Sequence, residues 1–200
     1  LVAVLSVVGC VFLTIFSINK YLTERERFDY SINGIIDGKV KPVQGEEVKP
    51  QVNSIIRPYR GEDVSIGRYF YDFEGEQSSQ EKSIIFYENT YMQNSGVDYV
   101  SEKTFDVVSV LAGKVVSVDV DETLGNIVKI EHDKGIITTY QGIDNVALKV
   151  GDNVTQGTVV GTSGKSLVNS NYTTSLHFEV SYKGELVDPE NFYSLNIDEL

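Results

Sequence analysis

The whole imidazole and thiol stock of the chain is two histidines, His132 and His177, and one cysteine, Cys10. A catalytic zinc takes three protein ligands and keeps one position open for water. One thiol inside an apolar run and two well-separated imidazoles fall short of that set. A single cysteine also excludes any disulfide within the chain. His177 stands between Leu176 and Phe178, where a strand histidine held by hydrogen bonds is expected. His132 closes the run Asn126 to His132 and reads as a packing or turn residue at a strand end.

The elements that must position these residues are short and β-branched. Val107 to Val110, Lys114 to Val120, Asn126 to His132, Ile136 to Gln141 and Leu176 to Tyr182 read as strands. Turn signals separate them: Ala112-Gly113, Gly125, Asp133-Lys134-Gly135, Gly151-Asp152 and Gly161 to Gly164. The alternation Val116, Val118, Val120 and Val128, Ile130 predicts half-buried strands. Earlier strand-like pieces are Ser54 to Ile56, Val64 to Phe73 and Ser83 to Tyr87, with Glu74 to Lys82 expected as an exposed loop. No helical period is visible beyond the N-terminal run. Near the end, Asp188 and Pro189 predict one helical turn, with Asp188 as its cap.

Leu1 to Ile18 carries no charged side chain. As a helix it spans about 27 Å, enough to cross a hydrocarbon core. It runs into Asn19 and Lys20 without a small-residue cleavage pattern, so an uncleaved anchor over 1–20 is expected rather than a signal peptide. The chain opens on Leu1, and a cytoplasmic stub is expected to precede it. Residues 21–53 read as a short juxtamembrane helix and then a spacer rich in Gly, Pro and charge. Residues 54–200 form the expected domain. The formal net charge of -12, from 17 basic and 29 acidic residues, argues against nucleic acid and anionic wall polymers as partners.

The text from 94 to 192 resembles the lysostaphin/LytM-type metallopeptidase family. The matching pieces are Gly96-Val97-Asp98, Val110 to Val116, Gly125 to His132 and Thr139 to Ile143, then Val150 to Val154, Gly157, Val160-Gly161 and Leu176 to Val180. The resemblance implies an all-β fold, a LytM-type β-sandwich or barrel-like domain of the duplicated hybrid-motif kind, here preceded by one transmembrane helix. Active members carry His-x-x-x-Asp, Tyr-x-His and His-x-His motifs. Laid on this chain, the first zinc histidine is Asn94, the middle catalytic histidine is Gly142, and the leading histidine of the last motif is Ser175. Asp98 and His177 are the surviving ligand positions. Two ligands beside a neutral amide leave no catalytic zinc and no imidazole base. The expectation is therefore no metal, no cofactor and no hydrolysis, with Asp98 bonding a loop backbone instead.

Tyr87 to Tyr91, Gly164 to Leu167, and Ser175 ahead of His177 are most similar to the stage II sporulation protein Q group of that family. The resemblance implies a single-pass protein of the forespore membrane with its domain in the intermembrane space. There it would bind the extracytoplasmic domain of a mother-cell membrane protein resembling stage III sporulation protein AH, in a homo- or hetero-oligomeric ring. A second reading is a pseudoenzyme that binds peptidoglycan or activates a separate cell-wall hydrolase. A biotinyl or lipoyl carrier is set aside, because no lysine sits in an attachment motif.

Overall fold

The computed structural model describes residues 54–197. The expected anchor over 1–20 and the helix and spacer over 21–53 lie outside the described residues. Among the described residues no helix is long and apolar enough to cross a membrane.

Among the described residues, thirteen strands carry the fold. They are β1 (Tyr59–Arg60), β2 (Ser65–Arg68), β3 (Ile84–Tyr87), β4 (Thr90–Gln93), β5 (Val97–Ser101), β6 (Asp106–Val108) and β7 (Gly113–Asp121). After them come β8 (Gly125–His132), β9 (Ile136–Asp144), β10 (Asn153–Val154), β11 (Val159–Ser163), β12 (Thr174–Tyr182) and β13 (Glu185–Val187). Two short α-helices, α1 (Gln77–Lys82) and α2 (Pro189–Phe192), and a 3-10 turn over Asp133–Gly135 complete the set among the described residues. Eleven strands join one sheet along the path β1-β6-β11-β9-β12-β5-β2; β13 pairs with β12, and β8, β7 and β10 continue from β9. β3 and β4 form a separate hairpin whose turn residues Glu88 and Asn89 both have positive φ, as a tight two-residue turn between twisted strands requires.

The core follows from alternation. In β8, Val128, Ile130 and His132 are buried while Lys129 and Glu131 face out. Val97, Tyr99, Tyr140, Leu176, Phe178 and Val180 are fully buried, and the Tyr140 and Phe178 rings sit 5.1 Å apart. β7 departs from the expected pattern. A register shift between Val115 and Ser117 turns the following residues over, since one inserted residue exchanges the two faces of a strand. Val115 is buried, Val118 packs against the core, and Val116 and Val120 are exposed.

Two further expectations are corrected. Glu74 to Lys82 is not all loop, because Gln77–Lys82 is helical. That helix buries none of its residues, so it carries no apolar period to read; the Gln80 amide anchors it by donating to the carbonyls of Asp72 and Phe73. Likewise, Val64 to Phe73 is a strand only over Ser65–Arg68. The turn at Asp188 forms as expected, with its carboxylate accepting from the Glu190 N–H at 2.9 Å and Pro189 opening α2.

Candidate functional site

β12 lies between β9 and β5, so His177 faces Gln141 on one side and Asp98 on the other. Gly96 permits this approach: a Cβ there would lie 2.2 Å from the Phe178 carbonyl oxygen. Asp98 is therefore a strand residue, with its carboxylate fully buried, and the expected loop-backbone role is replaced by two side-chain partners. The His177 Nδ1–H donates to Asp98 Oδ1 at 2.7 Å. Arg68 Nη1 donates to Asp98 Oδ2, also at 2.7 Å, and to Asn169 Oδ1 at 2.9 Å.

On the other side of the imidazole stands Glu179, two residues along β12 and hence on the same face. His177 Nε2 is 3.3 Å from Glu179 Oε1, which also accepts from Ser95 Oγ at 2.5 Å. Burial alone would depress the His177 pKa, but its hydrogen bonds to Asp98 and Glu179 and their charges outweigh that and lift it to about 9. The imidazole is thus protonated at neutral pH and donates from both nitrogens. Burial raises the Glu179 pKa, and the bond to His177 more than reverses this, for a net lowering. Two cations and two carboxylates face one another in a closed set.

The remaining expected positions do not join this network. Asn94 is buried, and its amide nitrogen donates to the carbonyls of Tyr69 at 2.9 Å and Gly96 at 2.8 Å. Both neighbours are acceptors, which fixes the amide orientation and leaves Oδ1 buried without a partner. Gly142 lies in β9 with φ of 71°, a left-handed conformation that favours glycine and strains any other side chain. Ser175 is buried opposite Val100, and its backbone exchanges two hydrogen bonds with Gly164. His132 sits elsewhere, with Nδ1 2.9 Å from the Ala112 carbonyl and Nε2 2.8 Å from Thr138 Oγ1. Burial lowers its pKa, so it is neutral and structural.

A cavity of about 240 Å³ opens over the network, with His177, Glu179 and Gln141 on one wall and Ile85 and Met92 of the β3–β4 hairpin on another. No group of three or more His, Cys, Asp or Glu side chains that could hold a metal occurs among the described residues. The donor chemistry does not fit a zinc ion either. Both Asp98 oxygens are engaged, one by the Arg68 guanidinium and one by the His177 imidazole, and the Asn94 amide is a neutral side chain whose nitrogen is held by two backbone carbonyls.

Peptidase family M23 matches residues 92–189. Stage II sporulation protein Q of Bacillus subtilis (strain 168) is 34% identical over 149 residues, 73% of this chain and 53% of that protein. The chain thus spans about half the length of this curated relative. A structure of the SpoIIQ–SpoIIIAH pore-forming complex aligns with TM-score 0.70 and 32% identity over 74% of this chain and 96% of the other. A crystal structure of the SpoIIIAH and SpoIIQ complex aligns with TM-score 0.66 and 35% identity, covering 69% and 99%. The chain belongs to the stage II sporulation protein Q group of this peptidase family. Its domain is the mostly β-sheet, LytM-type fold of that family.

Sequence reasoning missed Arg68, Asn169, Ser95 and Glu179. Glu179 was accessible, since it shares a strand face with His177. Arg68 lies 30 residues ahead of Asp98, outside the family match, and only the pairing of β2 with β5 brings it in.

Proposed function

We propose that this chain is a non-enzymatic sporulation protein. In this reading, 1–20 anchor it in the forespore membrane and 21–53 form the juxtamembrane helix and spacer. The domain over 54–200 binds, across the intermembrane space, the extracytoplasmic domain of a mother-cell membrane protein resembling stage III sporulation protein AH. The observation that carries the reading is the likeness, at 32% identity and over 96% of its length, to a chain solved within the SpoIIQ–SpoIIIAH complex. The self-paired floor of the groove supports it from the chemical side. Asn94, Gly142 and Ser175 are read as vestigial positions, and Asp98 and His177 as unmetallated ones. A dead peptidase fold keeps its sheet and surface, which suffice for holding a partner.

The test is gel filtration of the full chain in detergent with the extracytoplasmic domain of such a partner, with no metal added. A stable pair buries about 1,200–2,000 Å² and co-elutes at micromolar concentration. Ser175→Ala should leave co-elution intact. Separate elution, together with sedimentation of the chain on purified peptidoglycan, would replace this reading with that of a wall-binding pseudoenzyme.

A further inference from the structure

β2 and β5 run antiparallel, pairing Ser65 with Val100 and Ile66 with Tyr99. An uninterrupted ladder would next set Gly67 against Asp98 and turn Arg68 to the opposite face. Instead the register shifts between Ile66 and Arg68, so that Arg68 stands opposite Asp98. A bulge of this kind re-aims a side chain, and here it delivers a guanidinium onto a fully buried carboxylate.

The bulge is itself held in place. The Tyr172 hydroxyl donates to the Gly67 carbonyl at 3.0 Å, and a Cβ on Gly67 would lie 2.9 Å from the Tyr172 ring. Beyond Asp98, the guanidinium is fixed by Asn169, a buried residue whose N–H donates to Ser166 Oγ. Arg68 is thus seated by side chains from two separate segments, and its own side chain is only 13% exposed.

We propose that Arg68 is a built-in cation that takes the place of a metal on Asp98, so that the old site is closed to divalent ions by occupation as well as by loss of a histidine. Asp98 Oδ2 already accepts from Arg68 and Oδ1 from His177, so a divalent ion arriving with the guanidinium in place would find neither oxygen free and would meet strong repulsion in a poorly screened setting. A divalent ion would have to displace the guanidinium from Asp98 and Asn169 together. Restoring a zinc ligand at position 94 is therefore not enough to restore zinc binding. This concerns metal alone and stands whether or not the partner reading above holds.

The experiment compares Asn94→His with Asn94→His/Arg68→Gln, both as full chains in detergent. Zinc is titrated calorimetrically, bound metal is counted after dialysis, and circular dichroism checks folding. The Asn94→His chain should retain well under one zinc, and removing the guanidinium should tighten Kd by about tenfold or more. Should the double variant fail to fold, Asn94→His/Asn169→Ala takes its place, releasing the second anchor of the guanidinium while the charge stays; zinc affinity should rise there too. Full zinc loading of Asn94→His with Arg68 in place overturns the proposal. So does a folded second variant that binds zinc no more tightly than the first.

Discussion

Asp98 and Tyr99 are neighbours on β5, yet their side chains leave opposite faces of the strand and enter two different clusters, each of which holds an arginine. Asp98 turns into the groove, where Arg68 and His177 close on it. Tyr99 turns to the other side and donates to Glu190 Oε1 at 2.7 Å, with the Tyr193 hydroxyl 2.9 Å away. Glu190 in turn pairs with both terminal nitrogens of Arg57, whose guanidinium lies 4.7 Å from the centroid of the Tyr193 ring. Both clusters tie the segment before residue 70 onto the sheet. They differ in access to water: the Asp98 and Arg68 side chains are 0% and 13% exposed, those of Glu190 and Arg57 21% and 44%. Water can take over a lost partner in the second cluster but not in the first. The same ion-pair chemistry is therefore a closed site in one place and a surface clasp in the other.

The largest effect should follow from Asp98→Ala. It strands a buried guanidinium and a protonated imidazole together, and breaking such a pair costs about 3–5 kcal/mol. Urea denaturation at neutral pH measures it. A loss under about 1 kcal/mol, the level of an exposed pair, would erase the distinction between the two clusters.

Next comes pH. The folded pKa of His177 is raised to about 9 from 6.5. Its contribution is therefore fully present below pH 6.5 and is lost as pH rises towards 9. A shift of that size corresponds to roughly 3 kcal/mol. The arginine and both tyrosines of the Arg57 cluster are pushed up, away from this window, Arg57 by its bond to Glu190 and the tyrosines by burial. Urea midpoints at pH 6.5 and 9.5 should differ in the unmodified chain and converge in His177→Gln. His132 acts on the acid side instead: burial lowers its pKa, so stability falls as pH drops below 6.5.

Much of the sheet was legible because strand alternation and Gly-rich turns are local signals. β8, β12 and the Asp188 cap needed no tertiary information. Asp98 and His177 were legible as a pair from the family motifs. What they do was not, because their partner Arg68 arrives through a cross-strand register containing a bulge, and a bulge leaves no fixed mark in sequence. The bulge in β7 hid the true inward face of its valines in the same way. Helix α1 was illegible for another reason: all its side chains are polar, and a tertiary anchor at Gln80 holds it.

In the surface clasp, Tyr99→Phe should cost about 1.5–3 kcal/mol, the range for a hydrogen bond to a charged acceptor. The ring stays buried and only the hydroxyl is removed.

Arg57→Ala should have the smallest effect, about 1 kcal/mol or less, because an exposed ion pair gains little over hydration. What it does lose includes the ring contact with Tyr193, which salt screens less than the pairing with Glu190. The cost should therefore shrink as salt rises from about 0.05 to 1 M, where the screening length falls to roughly 3 Å. The Asp98→Ala cost should hardly change over the same range, since buried pairs are poorly screened. Measuring both variants at both salt concentrations gives four numbers and one decisive contrast. If the Asp98→Ala cost fell with salt as steeply as the Arg57→Ala cost, the groove cluster would be open to solvent ions. The guanidinium on Asp98 could not then be what keeps divalent cations out.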